Sequence, residues 1–137
     1  MIYSKSDTKV AKLATEFLEN KRLNVCDPLR YLLYTIKDKT AVDSLLQRVF
    51  DTNDPALRLI AAEYLMNIDT NRGLAEMIKI LPIIEFDHAT ADSIAIWLGK
   101  YGDKKLKHKL EEKEIECKKS GEPNSASWYK WAASTIG

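Results

Sequence analysis

Histidines, cysteines and paired carboxylates are the side chains through which a small protein most often does chemistry, and here their spacing forms no known site. Neither His88 nor His108 forms a ligand-like pattern with a second His, Cys or acid three or four residues on. Cys26 precedes a predicted helix with no histidine nearby in sequence, so the expected role of its thiol is that of a small buried filler. No glycine-rich phosphate loop, nucleophile elbow or carboxylate pair in an apolar stretch occurs. We therefore predict no catalytic residue, no metal and no cofactor, and a chain that is not an enzyme.

Composition limits the architecture that could carry such a site. The chain has 137 residues, of which 45% are hydrophobic, enough for one domain with its own core. Five glycines and four prolines are too few for the many tight turns of an all-β fold. The two cysteines lack zinc-ligand spacing, no apolar run reaches membrane-spanning length, and the first residues do not resemble a signal peptide. We expect a single domain over residues 1–137, a cytoplasmic location and no membrane partner.

Helical periodicity runs through most of the sequence and predicts eight segments. Apolar residues recur at i, i+3, i+4 and i+7 over about 6–20, 27–36, 40–50, 54–68, 70–81, 87–101, 103–119 and 125–135. Asp27-Pro28, Asp54-Pro55 and Asp87 are predicted helix starts, because an aspartate caps free amides and proline fits the first helical position. Thr40, with Asp43 three residues on, resembles a weak capping box and predicts another start.

Two segments are less regular. Residues 83–86 are predicted to be a short extended link. The segment over 103–119 has few apolar residues and is expected to be the most solvated helix, with Leu106, Leu110, Ile115 and Cys117 as its inward set.

An internal period of 33 residues relates the helical segments that begin at Asp54 and Asp87. Residues 41–68, with their Asp-Pro turn, Leu57-Arg58 pair, alanines and Leu65, resemble a HEAT repeat, and residues 74–101 resemble it in part. The resemblance implies an all-α, short HEAT-like solenoid of about eight antiparallel helices; the alternative is an irregular helical bundle. It also implies that Arg58 braces Asp51 and Asp54, against the alternative of a solvated surface arginine.

Charge is balanced overall but not along the chain. Twenty-one basic and twenty acidic residues give a net charge of +1, which argues against a general nucleic-acid binder. Residues 51–99, however, carry eight acidic and three basic residues, a net charge of −5 between basic flanks. About half of these acids are expected helix caps, and the others form a predicted acidic surface for a basic protein partner: Glu63, Glu76, Glu85 and Asp92.

Three aromatic residues are further candidates for partner contact. Tyr31 and Tyr34 lie at the edge of the apolar stripe of their helix and are expected to be partly exposed. Trp128 belongs to a cluster with Tyr129 and Trp131 near the end of the chain. These tryptophans are expected to close the open end of the core, and one of them is a candidate contact anchor.

A helical chain without catalytic motifs is expected to act by binding, so we predict a non-catalytic protein-binding module. By analogy with helical immunity proteins, the specific expectation is a bacterial immunity protein that binds and neutralises a cognate toxin, such as a basic nuclease. The alternatives are a nucleic-acid-binding HEAT-like protein, which the acidic middle argues against, a scaffold or assembly factor, and an enzyme with an unrecognised site.

Overall fold

The computed structural model describes residues 26–84 and 87–137, and these residues form an all-α structure. The predicted helix over 6–20 and the candidate Glu85 lie outside the described residues. The helices, in chain order, are α1 (Cys26–Thr35), α2 (Lys39–Phe50), α3 (Pro55–Met66), α4 (Thr70–Ile80), α5 (His88–Tyr101), α6 (Lys104–Lys119) and α7 (Pro123–Ser134). None of the described helices is long and apolar enough to cross a membrane.

Aspartate caps account for five of these helix starts. The carboxylate of each accepts a hydrogen bond from a backbone amide in the first turn, as predicted for Asp54 and Asp87; the set is Asp38, Asp54, Asp69, Asp87 and Asp103. Pro55 is the first residue of α3, also as predicted. Three predicted starts are wrong by one or two residues. Asp38 rather than Thr40 caps α2, α1 begins at Cys26 rather than after Asp27, and α7 begins at Pro123 rather than Ser125.

The cap at Asp54 gives a measurable contribution to stability. Its Oδ1 accepts hydrogen bonds from the amides of Ala56 and Leu57, at 3.0 and 3.3 Å. We expect Asp54→Ala to lower the free energy of unfolding by about 1 kcal/mol, because these amides lose their acceptor. Urea denaturation measures the change, and Asp92→Ala, at an exposed position inside α5, is the matched control with an effect within about 0.5 kcal/mol. Equal effects of the two substitutions would contradict the assigned cap.

The link between α4 and α5 differs from its prediction. Residues 83–86 are predicted to be extended. Residues 83 and 84 are not, because Leu81–Ile83 form a 3-10 turn and Ile84 has helical backbone angles, and residues 85 and 86 lie outside the described part of the chain. Leu81 and Ile84 are both buried, so this turn folds back onto the core. The residues of this link are apolar because they form a compact turn that is buried, not because they form an extended segment.

The core consists of two groups of buried side chains that share α3. One group joins α1, α2 and α3, and the other joins α3 with α4, α5, α6 and α7. Ala61 belongs to the first group and Ala62 to the second, and both are fully buried. Because these two neighbouring side chains are small, helices can approach α3 closely on both sides.

Alternate helices adjoin one another. α3 contacts α1 on one side and α5 on the other, and α5 in turn contacts α7. Each remaining helix contacts a helix of this row that is its neighbour in sequence, as α4 contacts α3 and α6 contacts α7. A stack of helical hairpins would produce these contacts, and the HEAT-like superhelix stays a prediction.

Helix α6 is as solvated as its composition predicts. Within α6, which the structure describes completely, Leu110 is the one buried residue. Ile115, expected to face inward, is 52% exposed. The helix ends at Lys119, and the φ of 73° at Gly121, two residues on, lets the Glu122 amide donate to the Cys117 carbonyl at 2.8 Å.

Candidate functional site

Tyr31 and Tyr34 are exposed on α1, as their position at the edge of the apolar stripe predicts. Their exposed fractions are 68% and 56%. Tyr34 is nevertheless held in place, because its ring meets the Tyr64 ring edge-on at 5.2 Å and its hydroxyl accepts a hydrogen bond from Asn67 Nδ2 at 3.0 Å. These contacts link the outer face of α1 to that of α3.

A second set of contacts continues from α3 to α5. The indole Nε1 of Trp97 donates to Glu63 Oε2 at 2.9 Å. The Trp97 ring stacks on Tyr101 at 5.7 Å between centroids, and Lys100 Nζ lies 5.4 Å from the centre of the Tyr101 ring. Two sets of contacts, Tyr34 with Tyr64 and Glu63 with Trp97 and Tyr101, thus meet at the neighbouring α3 positions 63 and 64. The five side chains, which lie across α1, α3 and α5, are here called the aromatic line.

The aromatic line is preorganised and partly accessible. Ring packing and hydrogen bonds hold its side chains, so little side-chain entropy remains to be lost when a partner binds. Burial, and then the neighbouring Tyr34 and Asp43, raises the pKa of the Tyr64 hydroxyl, which therefore stays a neutral donor at physiological pH. Tyrosine and tryptophan are the residue types that most often anchor protein interfaces.

A sequence signal for this arrangement exists in the 33-residue period. Tyr31, Tyr64 and Trp97 occur at intervals of 33 residues in the alternate helices α1, α3 and α5. The two hydrogen bonds that join these helices, from Asn67 to Tyr34 and from Trp97 to Glu63, span 33 and 34 residues. The 33-residue period predicts the match of Tyr64 with Trp97 as a repeat of apolar positions, but the extension of the series to Tyr31, which marks this surface, was not predicted.

The predicted acidic residues do not have one common role. Glu63 accepts the hydrogen bond of the Trp97 indole. The side chain of Glu76 is 15% exposed and forms an ion pair with Lys79 at 3.1 Å. Asp92 is exposed on α5. The partner of Glu63 is a neutral donor, whereas the charge of Glu76 is compensated by Lys79.

Arg58 and Trp128 lie at the edges of the core. The Nε atom of Arg58 is buried without a hydrogen-bond partner in the described part of the chain. The acids that it was expected to brace have other partners: Asp51 accepts from Gln47 Nε2, and Asp54 caps α3. Trp128 is half-buried against the second core group and meets Trp131 edge-on at 5.5 Å, an arrangement in line with closing the end of the core.

Within residues 26–84 and 87–137, no group of three or more His, Cys, Asp or Glu side chains could hold a metal ion. His108 does have an acidic neighbour four residues on, because its Nε2 lies 3.0 Å from Glu112 Oε1 in an exposed pair. Burial, followed by the nearby Glu122 carboxylate, raises the pKa of the Cys117 thiol, so the reactive thiolate is disfavoured. No known protein family, curated protein or solved structure matches the chain.

Proposed function

We propose that the chain is a non-catalytic protein-binding module that engages one dedicated protein partner through the aromatic line. The observation that supports this proposal is the preorganised set of aromatic side chains across three helices, with Tyr31 exposed beside it. Rigid aromatic anchors with polar tips are typical of protein interfaces, since they bury a large area at low entropic cost.

Charge around the aromatic line favours a basic partner. Glu63 belongs to the line and Asp43 is close enough to Tyr64 to raise its pKa, against the cation Lys100 beside Tyr101. Asp92 is exposed elsewhere on α5. Such charges accelerate the approach of a basic protein surface and disfavour nucleic acid, whose phosphates they repel. Within this class we propose an immunity protein that occludes a cognate toxin, for example a basic nuclease domain; the alternative is a scaffold with several partners.

The test compares the chain with a Tyr31→Ala/Tyr34→Ala variant in affinity capture from its native host. We expect the unmodified chain to retain one protein in stoichiometric amount, and the variant to bind that purified protein at least tenfold more weakly, because two aromatic anchors are lost. Isothermal titration calorimetry with the purified partner measures the change.

Two controls make the result specific. Ile115→Ala removes an exposed apolar side chain from α6, away from the aromatic line, and is expected to leave the affinity unchanged within about twofold. Circular dichroism must show the same helicity for all three proteins. The protein-binding proposal fails if no stoichiometric partner is retained or if both variants bind it equally well. If the partner is a toxin, co-expression of the unmodified chain restores growth and co-expression of the tyrosine variant does not.

A further inference from the structure

An open groove of about 660 Å³ lies between α4 and α6, with the end of α5 and one residue of α7 completing its wall. Its floor is apolar and includes Leu74 and Ile78 from α4, Leu110 from α6 and Tyr129 from α7. Burial raises the pKa of the Tyr129 hydroxyl, as do Cys117 and two nearby glutamates to a lesser degree, so the floor is uncharged at physiological pH. The groove meets the aromatic line at Tyr101, which belongs to both, but its lining includes neither Tyr31 nor Tyr34.

Lysines surround this floor. Lys105, Lys109 and Lys113 line the groove from successive turns of α6, and Lys79 lines it from α4. Among the described residues, none of the three α6 lysines forms an ion pair with a carboxylate, whereas Lys79 is paired with Glu76. The one acidic side chain in the lining, Asp103, already accepts the Leu106 amide at 2.8 Å as the cap of α6. The groove therefore has a net positive charge.

One groove lysine, Lys105, is also unfavourably placed for the helix that carries it. It lies in the first turn of α6, at the positive end of the helix dipole, between Lys104 and Lys107, which are outside the groove lining. Cations at this end oppose the dipole, typically by 0.3 to about 1 kcal/mol each, and the Asp103 cap offsets only part of the repulsion. An anion beside Lys105 would offset a further part of it.

We propose that the groove binds an acidic amphipathic helix of a protein partner. The apolar floor would receive aliphatic side chains, as in other helix-in-groove complexes. Lysines four residues apart advance by about 6 Å along α6, the same rise that separates carboxylates at i and i+4 on a docked helix. An apolar floor favours such a helix over nucleic acid, which needs phosphate contacts and exposed stacking surfaces. This proposal goes beyond the aromatic line and does not depend on it.

The probe is a fluorescein-labelled synthetic helix of 18 residues with leucines at i, i+3, i+4 and i+7 and glutamates beside them. Fluorescence anisotropy measures its dissociation constant with the full chain, next to a scrambled peptide of the same composition and a 20-nucleotide oligo-dT. We expect the helical peptide to bind at least tenfold more tightly than either comparison ligand, and more weakly as salt rises. Equal binding of the scrambled peptide, or tighter binding of the oligonucleotide, overturns the proposal.

A variant pair with equal charge locates the binding surface. Lys105→Gln/Lys109→Gln/Lys113→Gln removes the charge from the groove and is expected to weaken peptide binding about tenfold or more, through lost charge pairing. Lys104→Gln/Lys119→Gln/Lys130→Gln makes the same change in net charge at exposed lysines outside the lining, and should change affinity less than about twofold. Equal losses in the two variants would overturn the groove as the site.

A second measurement needs no substitution. Limited acetylation of the unmodified chain, followed by mass spectrometry, reports the accessibility of each lysine with and without the helical peptide. We expect protection of Lys109 and Lys113 and none of Lys119 or Lys130. Uniform protection, or protection confined to lysines outside the groove, overturns the proposal. Failure of the aromatic-line test leaves both of these readouts unaffected, so the two proposals can fail separately.

Discussion

Leu110→Ala is expected to lower the free energy of unfolding by about 3 kcal/mol, the middle of the range for a fully buried leucine. Leu110 is the one buried residue of α6, with an exposed fraction of 0%, and Leu106 and Cys117 of the same helix are only half-buried against the core. The substitution removes the central contact that holds a charged helix on the protein. A loss of this size is a large part of the roughly 5–15 kcal/mol that stabilises a typical domain.

The effect of Leu110→Ala should be uneven along the chain. α6 packs mainly on α7, whereas α1 and α2 belong to the other core group. Urea denaturation gives the change in free energy, and native-state hydrogen exchange should show faster exchange in α6 and α7 than in α1 and α2. Ile115→Ala, at an exposed position of the same helix, is the control with an effect below about 0.5 kcal/mol. A loss under about 1 kcal/mol for Leu110→Ala would contradict the anchoring role.

Gly73→Ala is expected to destabilise the protein by about 2 kcal/mol, although alanine is the better helix former. On helix propensity alone, replacing a glycine inside α4 should stabilise by about 1 kcal/mol. A Cβ atom at position 73, however, would lie 2.6 Å from Met66 Sδ and 2.9 Å from the Met66 backbone nitrogen. The methionine side chain can move but the backbone cannot do so without shifting α3, so overpacking outweighs propensity.

Gly99→Ala, the same substitution at another helical position, is expected to stabilise the protein, whereas Gly73→Ala destabilises it. Gly99 lies inside α5, and a Cβ atom there would have its nearest neighbour, the Thr135 carbonyl oxygen, at 3.4 Å. This is ordinary van der Waals contact, so the propensity term remains and we expect a gain of about 0.5–1 kcal/mol. Thermal denaturation of both variants measures the difference. If Gly73→Ala stabilises as much as Gly99→Ala, the close approach of α4 to α3 is wrong.

Local interactions explain why the helices were predictable from sequence. Periodicity and capping depend on residues within one or two turns, so Asp54, Pro55 and Asp87 were identified from the order of residues alone. Errors arose where two local signals competed. Thr40 with Asp43 resembled a capping box, but Asp38 lies three residues before Ala41 and caps its amide. At residues 83 and 84, apolar side chains suited both the predicted extended link and the buried turn that the structure has.

The candidate surfaces were less predictable, because they depend on residues far apart in sequence. Summing charge over residues 51–99 gives an acidic segment, but it cannot show that Glu76 is paired and nearly buried or that Glu63 holds the Trp97 indole. The lysine groove joins α4 to α6, and only the packing of these helices brings an apolar floor between the lysines. The series Tyr31, Tyr64 and Trp97 is visible as a period, but its meaning depends on which faces the helices turn outward.

The sequence by itself determined an all-α chain, the starts of most of its helices and the solvated character of α6. These follow from hydrogen bonding and hydrophobic periodicity within each segment. Only the tertiary structure decided which charges are compensated, which tyrosines are held by their neighbours and where a groove opens. Each of these depends on distances between separate helices, and the side chains buried between helices, such as Ala61, Ala62 and Gly73, set those distances.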